Sequence, residues 1–413
     1  MKPRKTSLGI SYNGSNLKGT IDKYIKSFSY TDVASGESDS ISVSLHNIDK
    51  KWINEYMPEK GDSITANIIM ENWKKEGDVK TFNCGSFTVD DISFSGRPLS
   101  GELGAVSVPA DEDFKATKRT KTWQNTNIKE IASEIAKKAG IALHYEAGTV
   151  KISEIEQDEA DSSFLAALCE KYGLAIKVFN NKLVIFDEKA YENKAKVATI
   201  TEIDIEGSWT YNTTLQGSYT GARLSYSDPD TDETITVQVG SAGRMYEFNT
   251  QADSRYDAEL QATAKVNQAN KGITTMEIKI MANTAIIASS VVEITGLGKI
   301  NGRYYVDKVK HSIGDSGYYM SLSLHKIQKS IVTPSAQAAT DAKNNSSGNY
   351  TVKSGDTLWG IARTYYGNSN IVNNVSKIYN ANKSVIEATA KAHGLSNSDN
   401  GHWIYPGTVL VIP

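Results

Sequence analysis

The 413-residue chain has only two cysteines, Cys84 and Cys169, in no Cys-x-x-Cys pair, which argues against a disulfide-stapled scaffold. Cys169 follows Phe164, Leu165 and Leu168 on an apolar helical face, so it reads as core packing, and the pattern suits synthesis in a reducing compartment. No segment approaches the length needed to span a bilayer, and the basic start Met1-Lys-Pro-Arg-Lys is followed by no apolar run of signal-peptide length. Charge of one sign is also missing. A net charge of −3 gives no general attraction to nucleic acid or anionic membranes. The six histidines (His46, His144, His311, His325, His393, His402) form no His-Glu-x-x-His pair, and neither a Gly-x-Ser-x-Gly elbow nor a phosphate-binding glycine loop occurs. The expectation is a protein that is not an enzyme, with no catalytic residues, no metal ligands and no cofactor.

What is present, 39% hydrophobic and 23% charged residues, is ordinary globular composition, and the length suits roughly three domains. Residues 1–110 alternate apolar and polar in short runs, such as Ile41-Ser-Val-Ser-Leu-His46 and Ser86-Phe-Thr-Val-Asp-Asp-Ile-Ser-Phe94, and predict a first β-barrel. Residues 196–328 repeat that character around one helix candidate, 253–271, closed by Gly272, and predict a second barrel. Gly85-Ser-Phe87-Thr-Val89-Asp90-Asp91-Ile92 aligns with Gly302-Arg-Tyr304-Tyr-Val306-Asp307-Lys308-Val309, and apolar strands precede both, so the two regions read as an internal duplication.

Between them, residues 111–195 predict an α+β insertion. Asn127 to Glu130 has capping-box spacing ahead of the stripe Ile128, Ile131, Ala132, Ile135, and Asn180-Asn181 joins two strands as a hairpin turn. The acidic run Asp228-Pro-Asp230-Thr-Asp232-Glu233 lacks the glycine and the bidentate glutamate of an EF-hand loop and reads as a solvated turn. Residues 329–349 predict a flexible linker, since 334–349 contain no aromatic and no branched aliphatic side chain.

The strongest signal lies at 350–413. A short strand from Tyr350 runs into Gly355-Asp356-Thr357, then Leu358, Ile361, Ala362 and Tyr365 fall on one helical face, with Asp356 or Thr357 available as the cap. Ile404-Tyr405-Pro406-Gly407 leads into a closing strand. The segment resembles a LysM module, a βααβ unit that binds N-acetylglucosamine polymers such as peptidoglycan. The resemblance implies a shallow glycan groove between two loops, placed here at Gly355, Asp356, Thr357 and Leu358 and at Ile404, Tyr405, Pro406 and Gly407. Much of that motif also defines the fold. An insertion between Asn382 and Trp403, with capping-box spacing from Ser384 to Glu387 and a helix from Ala388 to His393, departs from the common pattern; it could widen the groove, cover it, or present a protein-binding face.

Trp123-Gln-Asn-Thr-Asn-Ile128, and then Asp161-Ser-Ser-Phe164-Leu165 through Tyr172-Gly173-Leu174, look like the late control D family of phage tail proteins, the baseplate hub of contractile tails. That likeness, over about 1–328, implies the phage tail hub fold. It also implies a homotrimer adapting a sixfold tail tube above to a threefold spike below, in a virion or phage-tail-like bacteriocin (tailocin) particle. Such a protein would be made in the bacterial cytoplasm without a signal peptide. Its partners would be the tube, spike and other baseplate proteins, and possibly peptidoglycan, with no sequence-specific nucleic acid and no membrane span. The runner-up is a peptidoglycan hydrolase or cell-wall-bound enzyme anchored by LysM. A third reading, a glycan-binding adhesin, would require export.

Overall fold

A computed structural model describes residues 2–16, 23–73, 75–108, 113–227, 233–333, 349–366 and 371–412. The expected 110/111 boundary, most of the acidic turn at 228–233 and most of the expected linker (334–348) lie outside the described residues. No helix among the described residues is long and apolar enough to cross a membrane.

The first region supplies β1 (Lys5–Tyr12), β2 (Ser15–Asn16), β3 (Ile25–Val33), β4 (Ser40–His46), β5 (Ser63–Glu71), β6 (Val79–Ser95) and β7 (Ser100–Val106). Alternation decides which way each strand faces: Ile64, Ala66, Ile68 and Met70 of β5 point inward and are almost fully buried, while the residues between them are only partly covered. The insertion contributes β8 (Lys118–Asn127), α2 (Ile128–Lys138), β9 (Ala142–Glu146), β10 (Lys151–Ala160), α3 (Asp161–Lys171), β11 (Leu174–Phe179) and β12 (Lys182–Asp187), with the short helices α1 (Asp113–Ala116) and α4 (Glu188–Glu192) at its ends. It has its own core, in which Ile128, Ile131, Ala132, Ile135 and Cys169 are completely buried. Asn127 caps α2 by accepting the Glu130 N–H at 3.0 Å, but the Glu130 carboxylate takes the Thr126 hydroxyl instead of closing a capping box. Asn180 and Asn181 hold the left-handed φ values of 47° and 56° that the β11–β12 hairpin requires.

The third region contains β13 (Ala198–Thr201), β14 (Thr210–Thr213), β15 (Gly221–Ser227), β16 (Thr234–Gly240), β17 (Met245–Asn249), α5 (Arg255–Lys271), β18 (Thr274–Met281), β19 (Val291–Thr295), β20 (Gly302–Gly314) and β21 (Gly317–Lys326). The duplication is visible in its topology. In chain order, β3-β4-β5-β6-β7 pair as β3-β4-β7-β6-β5, and β14-β18-β19-β20-β21 pair as β14-β18-β21-β20-β19. Register agrees as well: Phe87 lies opposite Ile64 and Tyr304 opposite Val292, while Ile92 pairs Leu103 and Val309 pairs Leu322. Each long strand carries a β-bulge at the aspartate of the shared motif, Asp90 between Val89 and Asp91 and Asp307 between Val306 and Lys308. Gly85 and Gly302 both take positive φ (104° and 149°).

Two features were not anticipated. The two five-stranded units belong to one sheet, because β20 pairs antiparallel with β3 from Lys308–Val33 to Ile313–Phe28, and their cores merge. The helix α5, expected inside the second barrel, instead covers the separate sheet β16-β15-β17 with its own core of Ala222, Leu224, Val237, Val239, Ala258, Ala262 and Val266. That piece occupies the position of the β3–β4 turn in the first unit. Residues just past 328 also pack against it: the Asn267 side chain donates to the Ile331 carbonyl and accepts its N–H, and Thr333 bonds Thr263. Ile331 and Thr333, anticipated as linker, are thus bonded to α5.

Buried ions fasten the three pieces. Lys177 of β11 reaches Asp32 at 2.8 Å and Asp39 at 3.1 Å, and the other Asp32 oxygen accepts the Ala288 N–H. Around the Asp307 bulge, Lys271 lies 3.1 Å from Asp307 and 2.7 Å from Glu188, while His325 faces Asp307 at 2.8 Å with Nδ1 and Glu192 at 3.3 Å with Nε2. Both ring nitrogens of His325 thus meet carboxylates, an arrangement that suits the imidazolium. Burial opposes the charge, but the hydrogen bonds to Asp307 and Glu192 outweigh it and raise the pKa above the ordinary histidine value.

Lys177→Met would leave the buried Asp32 and Asp39 carboxylates without their cation and should destabilise the body by about 3–5 kcal/mol, read as an early loss of folding in urea. Protonated His325 stabilises the fold below the unfolded pKa, and that contribution disappears as pH rises through the raised folded value. The melting-temperature deficit of His325→Gln relative to wild type should therefore be largest near pH 6 and shrink in alkali.

Candidate functional site

At the C-terminal end, β22 (Asn349–Thr351) and β23 (Val409–Val411) pair antiparallel, with the helices Leu358–Tyr366 and Ile371–Ala392 between them. Leu358, Ile361 and Ala362 are buried with Val352, Ile378, Ile386 and Leu410, so the predicted helical stripe is the core face. Two backbone bonds continue the ladder past the strands, Val352 N–H to the Thr408 carbonyl and Gly407 N–H to the Val352 carbonyl, both 2.8 Å. They bring the turn at 354–357 beside the turn at 404–407, so seven of the eight predicted residues occupy two neighbouring loops at one end of the strand pair, and Leu358 opens the first helix.

These eight have different duties. Thr357 is the cap, accepting the Gly360 N–H at 3.0 Å. Asp356 closes the preceding turn, accepting the Lys353 N–H at 2.7 Å and the Tyr350 hydroxyl at 2.6 Å. Burial and that bond to Asp356 push the Tyr350 phenol pKa up. Leu358 is core and 2% exposed, which leaves it no surface for a ligand. Gly355 and Gly407 adopt φ of 86° and 88°, conformations that a Cβ disfavours, and both are exposed with open space above them. Pro406 is exposed, and Ile404 and Tyr405 are half-buried. The surface on offer is therefore backbone, Thr357 and the edges of the second loop.

The insertion takes another form than expected. One continuous helix runs from Ile371 to Ala392, with Ile378, Asn382, Ile386 and Ala390 buried at four-residue intervals, so Ser384 to Glu387 is helix interior and no capping box forms. Glu387 fastens the following loop, accepting the Ser398 N–H and hydroxyl and the Tyr379 hydroxyl; these bonds, led by the Ser398 hydroxyl, hold its carboxyl below the usual range. Past the helix, the His393 ring stacks on Tyr405 with centroids 3.8 Å apart, so the inserted segment buttresses the second loop. Two features missed from sequence are Trp403, 49% exposed directly before Ile404, and Gly401. An added Cβ at Gly401 would come within 2.3 Å of Leu358 Cδ1 at a φ of +84°.

The duplicated β body with its α+β insertion and the C-terminal two-strand, two-helix module each correspond to a known protein family. The family model for the phage tail baseplate hub (GPD) matches residues 102–317, and the LysM domain model matches residues 350–413. The chain belongs to the phage tail baseplate hub family and carries a C-terminal LysM domain. It is 22% identical over 369 residues to the probable baseplate hub protein of Escherichia phage 186, covering 76% of this chain and 91% of that one. In fold it is similar to the 43 kDa tail protein of prophage MuSo2 from Shewanella oneidensis (TM-score 0.59, 13% identity, 78% of this chain and 98% of that one). It is also similar in fold to the E. coli type VI secretion component c3393 (TM-score 0.51, 9% identity, 79% of each chain).

Gly401→Ala should destabilise the LysM module by about 2–4 kcal/mol, the cost of overpacking added to left-handed backbone strain. The expected readout is a module that unfolds early in denaturant while the body of the chain melts unchanged.

Proposed function

We propose that the chain is the structural, non-catalytic hub of a contractile-type tail or tailocin, assembled as a homotrimer that adapts a sixfold tube to a threefold spike. The observation that carries this reading is the repeated five-stranded unit, with one strand order, one pairing register and one bulge position in both copies. Three copies of such a chain offer six quasi-equivalent units to a sixfold ring and three identical surfaces to a threefold partner. Two of the matched relatives are a probable baseplate hub protein and a tail protein, which supports a mechanical rather than a chemical role. Light scattering of the purified chain should give three times its 45.1 kDa mass. A stable monomer at assembly concentrations would count decisively against the trimer.

The LysM module supplies contact with peptidoglycan under the same proposal. Its exposed loop backbone around Gly355 and Gly407 suits the N-acetyl and hydroxyl groups of the glycan, and Trp403 adds an exposed apolar ring directly before the second loop. Full-length protein should co-sediment with insoluble peptidoglycan, and Trp403→Ala should reduce retention several-fold without altering the mass in solution. Retention by a baseplate protein and none by the glycan would leave the module a docking role instead.

A further inference from the structure

The joint between β20 and β3 lies within one chain, yet the duplication supplies both of its halves a second time. By the shared registers, the β20 segment from Val309 to Ser312 corresponds to Ile92–Ser95 of β6, and the β3 segment Ser29–Asp32 corresponds to Thr210–Thr213 of β14. Among the described residues both counterparts are open edges: β14 ends the sheet with β18 as its sole partner strand, and beyond the bulge β6 pairs only with β7.

Exposure separates the closed joint from the open edges. Tyr30, Val309 and His311 in the joint are 2%, 0% and 0% exposed, and Tyr30 stacks on His311 with centroids 5.4 Å apart. Their counterparts Tyr211, Ile92 and Phe94 are only half-buried. Trp209 next to β14 is 36% exposed, and Leu215 just beyond it is 72% exposed. Unpaired edges in natural sheets are commonly blunted by charged side chains or proline, but 92–95 and 210–213 contain neither. Both edges are kept able to pair.

We infer that Ile92–Ser95 of one copy pairs antiparallel with Thr210–Thr213 of a second copy of this chain, in the register of the internal joint. That places Ile92 opposite Thr213, Ser93 opposite Asn212, Phe94 opposite Tyr211 and Ser95 opposite Thr210. The Phe94–Tyr211 pair takes the place of the His311–Tyr30 stack and buries both rings. The contact is head-to-tail, so each copy gives one edge and receives the other, and it closes when the ring is complete. The inference rests on the trimeric reading above and deepens it, because it names the surface and the register through which the copies join.

The test is disulfide trapping in the full-length chain. Ser93 and Asn212 lie on the exposed face, and the two native cysteines are completely buried, so engineered thiols there report only the proposed contact. Ser93→Cys/Asn212→Cys should give, after mild oxidation, covalent dimers and trimers and nothing larger. Ser93→Cys/Ser208→Cys, four residues out of register, should give at least ten-fold less. Lys310→Cys/Thr31→Cys, the matching pair in the internal joint, should close within the monomer and shows that the body is folded. A chain that is trimeric by light scattering, with the internal pair closed and no cross-link at 93/212, would overturn this pairing and leave the trimer standing. A monomeric chain with the internal pair closed would overturn both.

Discussion

The antiparallel pairing of β20 with β3 is the constraint on which the architecture depends. It converts two five-stranded units, each with an unsatisfied edge, into one sheet with a merged core. Hydrogen bonds across such an edge are individually modest, but a one-residue slip would turn every inward side chain outward. His311 and Tyr30 would then leave the interior, and the stack between them would be lost. Register at the joint is therefore enforced by burial more than by the ladder itself.

Ions do the rest of the fastening, and they sit where the pieces meet. Asp32 lies at the end of β3, next to the joint, and binds a lysine from the insertion and a backbone N–H from the loop before β19. Asp307, at the bulge of β20, gathers Lys271 from the end of α5 and His325 from β21, and Glu192 from the insertion binds the other side of that ring. A bulge leaves one residue out of the ladder and re-aims its side chain. In the first unit the same position, Asp90, stays exposed. The bulge is thus common to both units, while among the described residues the charge cluster is built on it only at Asp307. Buried networks of this kind add less net stability than their contact distances suggest, but they penalise any other arrangement of the three pieces.

Local features were readable from sequence because their causes are local. The stripe of α2, the Asn180-Asn181 turn, the repeated Gly-x-aromatic-x-Val-Asp strand and the core face of the first LysM helix all follow from the spacing of neighbouring residues. Missed features arise from pairings over long sequence separation. The fusion of both units through β3 and β20 joins residues some 280 positions apart, and no periodicity announces it. The helix α5 was legible as a helix, but which sheet it covers depends on β15 to β17 folding away from the main sheet. At Ser384 to Glu387 the capping-box spacing was a coincidence inside a longer apolar stripe, and Ile378, Asn382, Ile386 and Ala390 decided the outcome.

The two LysM loops show why a candidate binding site is only half legible in a sequence. A residue that closes a turn or caps a helix is required by the fold whether or not sugar ever binds, so its presence in the motif carries little information about recognition. Asp356, Thr357 and Leu358 are of this kind, each occupied by an internal bond or by the core. Under the proposed glycan contact, recognition would rest on groups the fold leaves unspent: the backbone at Gly355 and Gly407, the exposed Pro406, and Tyr405, on whose ring His393 stacks. The His393–Tyr405 stack couples the length of the inserted segment to the shape of the second loop. A module with a shorter connection would lack that buttress, and its second loop would be positioned by the closing strand alone.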